Sequence, residues 1–273
     1  MISFETPEMI DQVRNMLHGM VNNIVRPIAR YYDDHEHERP KELEAFAPIM
    51  QAGMGGGGRK TAKKEKKEIK ATDDRIGANA ISVAGAEEMA WGDVGLMLAM
   101  PGGGLGNAAV DAVATDEQYE RFGKKYCAMA ITEPGCGSDA SAITTTAVLD
   151  GDEYVINGEK IFVTDGDRCE AVVVWATLDK SKGRAAIKSF VVEKGTPGFR
   201  VEKLEHKCGI RASDTATLVF EDCRIPKTNL LGDPEIKPEG GFKGVMATFD
   251  ATRPLVAAMA LGCAQAAYDF TKE

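Results

Sequence analysis

Apolar residues near the start of the chain recur at helical spacing: Ile10, Val13, Leu17, Val21 and Ile24 mark one face. Thr6 can cap such a helix, Pro7 suits its first position, and Glu8 sits at the positive end of its dipole. Pro27 is expected to kink or end it, and a second helix is expected from Lys41 to about Gln51. The pattern then breaks. Gly55 to Gly58 is a glycine run and Arg59 to Lys70 is dominated by lysine, so 53–70 reads as a mobile surface loop or a basic patch for an acidic partner or a ligand phosphate. Helical character resumes at about Ala78, passes through Glu87-Glu88-Met89-Ala90-Trp91 to Leu98, and stops at Pro101-Gly102-Gly103-Gly104. Further helices are expected from Leu105 and, after a Thr115 cap, over Asp116 to Phe122.

After Tyr126 the periodicity changes. Ile143–Leu149, Tyr154–Ile156, Lys160–Val163, Ala171–Leu178, Ile187–Glu193, Phe199–Leu204 and Ala216–Glu221 are short β-branched or alternating runs. Asn157-Gly158 is a hairpin signal between two of them. Closely spaced strands with no helix between them imply an antiparallel barrel or sandwich. Helix returns over 241–273, with Phe249, Leu255, Val256, Met259 and Cys263 as its apolar material. The fold expected is α+β: an N-terminal α-helical domain (1–126), a central antiparallel β-barrel or sandwich domain (127–239), and the first helix of a C-terminal helical bundle (240–273).

Charge and composition narrow the function. A net charge of −9 over 273 residues argues against nucleic acid as the main partner, because phosphate binding needs a basic face. No apolar run approaches the roughly 20 residues that span a bilayer, and Met1-Ile2-Ser3-Phe4-Glu5 lacks the basic and apolar regions of a secretory signal. A cytoplasmic location is expected. Six widely spaced cysteines without a CxxC pair read as reduced thiols that pack as small hydrophobes. The four histidines are scattered, and His35 and His37 lie in a polar run that reads as solvated surface, so no metal site is expected. Gly53 and Gly58 have the separation of a phosphate loop, but Arg59 stands where that motif needs lysine.

Two stretches carry candidate chemistry. In Ile131-Thr132-Glu133-Pro134-Gly135-Cys136-Gly137-Ser138-Asp139 the small residues allow a tight bend that leaves amides and hydroxyls outward. With Ala140 it fits a loose G-x-G-x-x-A dinucleotide pattern. That pattern needs a following helix, and Ile143 to Val148 is β-forming instead. Alone, the stretch is either a cradle for a phosphate or ring oxygen, with Thr132 and Ser138 as partners, or an ordinary polar turn. The second stretch, Tyr154 to Thr164, ends a strand on the Thr164 hydroxyl.

These stretches, together with Gly209-Ile210-Arg211-Ala212-Ser213-Asp214-Thr215 and Phe249-Asp250-Ala251-Thr252-Arg253-Pro254, resemble the acyl-CoA dehydrogenase family in order and in layout. The resemblance is firm from about Glu87 to Glu273, and the basic 53–70 segment departs from it. It implies bound FAD, with Met129, Ile131, Thr132, Gly137 and Ser138 matching one flavin-contacting segment and Phe162, Val163 and Thr164 the second. Phe162 stands where the family often has tryptophan; it offers a flat apolar wall without the indole donor. Ser138 matches a position facing the CoA thioester's pantetheine arm. Phe249, Asp250 and Arg253 match positions lining the acyl-CoA channel, although Asp250 and Arg253 also have the spacing of a surface ion pair.

The resemblance further implies removal of an α-proton by a carboxylate while a β-hydride passes to the flavin, giving a 2-enoyl-CoA and sending electrons to an electron-transfer flavoprotein. The channel-helix position that carries the base in some members is Thr252 here, which cannot serve. The sequence stops in mid-helix at Lys272-Glu273 and lacks the family's remaining C-terminal helices, so no catalytic base is expected within it. A fragment, or a chain covered by a partner, is expected, in a homo- or hetero-oligomer of related subunits. The rival readings are a catalytically silent partner subunit and an oxidase of the same fold.

Overall fold

A computed structural model describes residues 6–46, 78–100, 104–237 and 243–273. The 53–70 segment and any helix beyond Phe46 lie outside the described residues. The chain forms two compact units. One comprises Met1–Pro101, Lys207–Ser213 and Thr252–Glu273, and the other Gly102–His206 and Asp214–Ala251.

In the first unit, α1 (Glu8–Met20) runs through a π turn, Val21–Val25, into α2 (Arg26–Asp34). Pro27 lies in the first turn of α2, and the wider turn before it absorbs the missing N–H, so the helix is adjusted there rather than ended. A short 3₁₀ turn, Lys41–Phe46, replaces the start of the expected second helix. Next comes α3 (Ala78–Leu98), interrupted by extended backbone at Asp93, whose carboxylate accepts from Leu96 N–H at 2.7 Å and restarts the last turn. Arg14–Glu87 (2.7 Å) and His18–Glu88 (2.9 Å) tie α1 to α3 over a core of Val21, Val25, Tyr32, Leu43, Met89, Leu96 and Ala212. No described helix is long and apolar enough to cross a membrane.

The second unit carries α4 (Leu105–Val113) and α5 (Asp116–Phe122), the latter started by a reciprocal Thr115–Gln118 capping box. Its sheet is built from β1 (Cys127–Ala130), β2 (Thr146–Asp150), β3 (Glu153–Thr164), β4 (Ala171–Thr177), β5 (Ile187–Glu193), β6 (Phe199–Leu204) and β7 (Thr215–Pro226). The strand order is β1-β4-β2-β3-β7-β6, with β5 added on β4. Most pairings are antiparallel, while β1 and one residue of β2 run parallel to β4. Every residue of β4 is buried, because its alternating side chains enter two cores. Val172, Val174 and Ala176 join Ile156, Phe190, Leu218 and Phe220. Ala171, Val173 and Trp175 face Ala109, Val110 and Phe122 of the helices and Val245 of α6 (Lys243–Lys272).

Asn157-Gly158 makes no hairpin. It lies inside the continuous strand β3, where the register against β7 slips by a bulge. The Asn157 amide exchanges hydrogen bonds with Asp222, giving to Oδ1 at 3.2 Å and taking from its N–H at 2.8 Å. The β2–β3 hairpin instead turns on Gly151, whose φ of 62° suits glycine.

Candidate cofactor site

The stretch 131–139 leaves β1 and closes on itself: Glu133 N–H donates to Cys136 O (2.9 Å) and Cys136 N–H to Glu133 O (3.1 Å). Between it and β2 the chain forms a three-residue 3₁₀ turn, Ala140–Ala142, and then non-helical backbone over 143–145, so the helix a dinucleotide loop requires is absent. Gly135, Gly137 and Ser138 are exposed at the tip, and Thr132 lies beside Gly137. Ile161 of β3 donates its N–H to Thr132 O at 2.9 Å. The two candidate segments are therefore adjacent in space, though neighbours neither in sequence nor in the strand ladder.

A buried ion pair reinforces that junction. Lys160 is fully buried and Glu133 nearly so, at 0% and 4% exposure. Lys160 Nζ donates to Glu133 Oε1 at 2.8 Å and to Ile131 O at 3.1 Å. Glu133 also accepts from Thr144 N–H (2.6 Å), the Thr144 hydroxyl (2.7 Å) and Thr145 N–H (2.9 Å). Burial alone would raise the Glu133 pKa, but the lysine charge and these donors bring it down to about 2. Burial lowers the Lys160 pKa, against the pull of Glu133. With two acceptors on Nζ and donors on both carboxylate oxygens, the charged pair is the form the geometry serves. Sequence reasoning singled out neither residue, because a lone lysine in a strand gives no sign of being buried.

Beyond Lys160 the β3 backbone bulges against β7, and Phe162 takes a φ of 58°, a conformation costly for an aromatic residue. The residue as a whole is 61% exposed. Val163, by contrast, is buried in the core, so only its backbone is available to a ligand. Thr164 ends the strand, half-buried. The hydroxyls of Thr132, Ser138 and Thr164 make no side-chain hydrogen bond among the described residues. Two joined segments that together carry an exposed aromatic residue, unused hydroxyls and an open loop tip fit a flat, polar-edged cofactor.

The turn after Thr164 is held from below. Asp165 has a φ of 58° and donates its N–H to Asp214 O at 3.2 Å. The Asp214 carboxylate accepts from Asp167 N–H (3.1 Å) and pairs with Arg168 (3.1 Å). Asp165 is buried against Tyr126, and burial, with the nearby Asp214 charge, raises its pKa to about 7. Asp165 and Asp214 were legible only as parts of motifs, not as a buried cluster.

Met129, Ile131 and Phe249 meet in one apolar cluster with Cys136 and Ile143. Asp250 and Arg253 are exposed on α6. Asp250 belongs to the β-sheet unit and Arg253 to the other.

Residues 128–223 match the family model of the acyl-CoA dehydrogenase middle domain. The chain is 36% identical over 263 residues to the short-chain specific acyl-CoA dehydrogenase of Clostridium acetobutylicum, covering 94% of this chain and 65% of that protein. Butyryl-CoA dehydrogenase from Megasphaera elsdenii superposes with a TM-score of 0.78 at 32% identity, over 97% of this chain and 68% of that one. A chain in the structure of the electron transferring flavoprotein of Acidaminococcus fermentans gives the same TM-score, 0.78, and the same coverage, 97% and 68%, at 34% identity. The chain thus spans about two thirds of the length of these relatives, and it belongs to the acyl-CoA dehydrogenase family.

Proposed function

We propose that this chain supplies the flavin-binding part of an FAD-dependent acyl-CoA dehydrogenase that converts an acyl-CoA thioester to the 2-enoyl-CoA. The observation that carries this reading is the junction of the 131–139 loop with the end of β3, made by the Ile161–Thr132 hydrogen bond, with an exposed Phe162 in a left-handed conformation on the β3 side. The family is one of FAD flavoproteins. FAD fits the donor set: Met129, Ile131, Thr132, Gly137 and Ser138 of the first segment and Phe162, Val163 and Thr164 of the second would hold it, Phe162 supplying an apolar face and Thr132, Ser138 and Thr164 hydroxyls. When bound, it accepts the β-hydride.

The chain's own residues bind and orient. Ser138 serves the thioester arm as well as the cofactor, and Phe249, Asp250 and Arg253 line the acyl channel. The base that takes the α-proton is assigned outside residues 1–273, since Thr252 has no carboxylate. The relatives' names favour a short acyl chain, and the Acidaminococcus match favours an electron-transfer flavoprotein as acceptor. Assembly with related subunits completes the reading.

The test is spectroscopic. The purified chain should turn yellow with FAD, and the colour should bleach with butyryl-CoA under anaerobic conditions once a subunit supplying the base is present. Flavin uptake that no acyl-CoA ever bleaches would favour a silent subunit. Oxygen consumption without an added acceptor would favour an oxidase.

A further inference from the structure

A lysine and a glutamate buried together are an expensive way to fill a core. An apolar pair of similar volume is often as stable or more so, because both ions lose their hydration. Here the pair does something such a filling could not. Lys160 Nζ reaches Ile131 O and Glu133, and Glu133 gathers Thr144 and Thr145, so one point joins the 131–139 loop, the approach to β2, and β3. Each contact is directional and fixes register, whereas packed methyl groups fix only volume. The pair also sits between the two candidate walls: Ile131 and Thr132 immediately precede Glu133, and Phe162 and Thr164 closely follow Lys160. The Ile161–Thr132 hydrogen bond runs alongside, so a shift of the pair moves both walls.

We infer that Lys160 and Glu133 are positioning residues of the flavin site: without touching the cofactor, their bonds set the spacing and orientation of the loop against the end of β3. This inference rests on the FAD reading above.

Lys160→Met and the double variant Glu133→Gln/Lys160→Met separate positioning from simple stability. The single variant leaves a buried carboxylate without its counter-ion; the double variant removes that penalty. FAD affinity, the visible circular dichroism of bound flavin, and the melting temperature of the apo-chain are measured on the full 273-residue chain. Lys160→Met is expected to melt lower and bind FAD at least tenfold more weakly. The double variant should regain most of the melting temperature yet stay at least tenfold weaker for FAD, with an altered flavin dichroism. Recovery of affinity and dichroism together with stability would overturn the inference and leave the pair a structural filling. Should Lys160→Met fail to fold, the double variant alone decides between these outcomes. A wild-type chain that takes up no FAD would overturn the flavin reading itself. Wild-type binding that neither variant alters would overturn only the role of the pair.

Discussion

Phe162 shows how a single residue can sacrifice stability for a surface. A left-handed backbone costs an aromatic side chain about 1–2 kcal/mol, and a mostly exposed residue recovers little of it by burial. Phe162→Gly should therefore raise the melting temperature of the apo-chain while weakening FAD binding; a rise in both would remove the ring from the site. Titration adds a second signature. The folded pKa of Asp165, about 7, lies above its ordinary value of 3.8, so the folded state holds the proton more tightly. That contribution is full below about pH 4 and lost as the pH rises through 7, at most about 4 kcal/mol. Asp165→Asn, which tolerates the same backbone, should match the wild type near pH 3 and exceed it at pH 8 in urea denaturation. An unchanged slope between those pH values would contradict the burial of an ionisable Asp165. Glu133 works the other way. Its folded pKa of about 2 stabilises the protein above its ordinary 4.5, and that stability drains away as the pH falls toward 2.

Among the elements, β3 departs most from its sequence signal. Asn157-Gly158 carries the residues of a tight hairpin, and nothing local distinguishes that from a bulge, because both require an unusual backbone at glycine. What decides is distant: Asp222 of β7 takes up the Asn157 side chain, and a Cβ on Gly158 would stand only 2.7 Å from the Cβ of Thr145 and 2.8 Å from the Cα of Thr145. Gly158→Ala should cost about 2–3 kcal/mol by urea denaturation. Gly135→Ala, at a loop tip with nothing within 4 Å, should cost under about 0.5 kcal/mol. Equal costs would place the close approach elsewhere. Elements with a strong local period were legible, including α1, the Thr115 cap, β5 and β6; β5 and β6 keep the bounds of their own runs, whereas α1 starts at Glu8 with Pro7 as N-cap and no Thr6 side-chain cap. Strand β1, only four residues long, and the burial of Lys160 were not, since both depend on partners far along the chain.

At the scale of the whole molecule, family membership was readable from four stretches of sequence, and two of those stretches are the candidate flavin segments. Their convergence was not, because Thr132 and Ile161 meet only when the sheet curls. The central claim is that one flavin bridges the 131–139 loop and the end of β3. Hydrogen–deuterium exchange of the full chain with and without FAD tests it most directly. The account predicts that FAD slows exchange together at 131–139 and 160–166, with little change in α1 and α2. Protection confined to one of the two segments, or found only outside both, would contradict it.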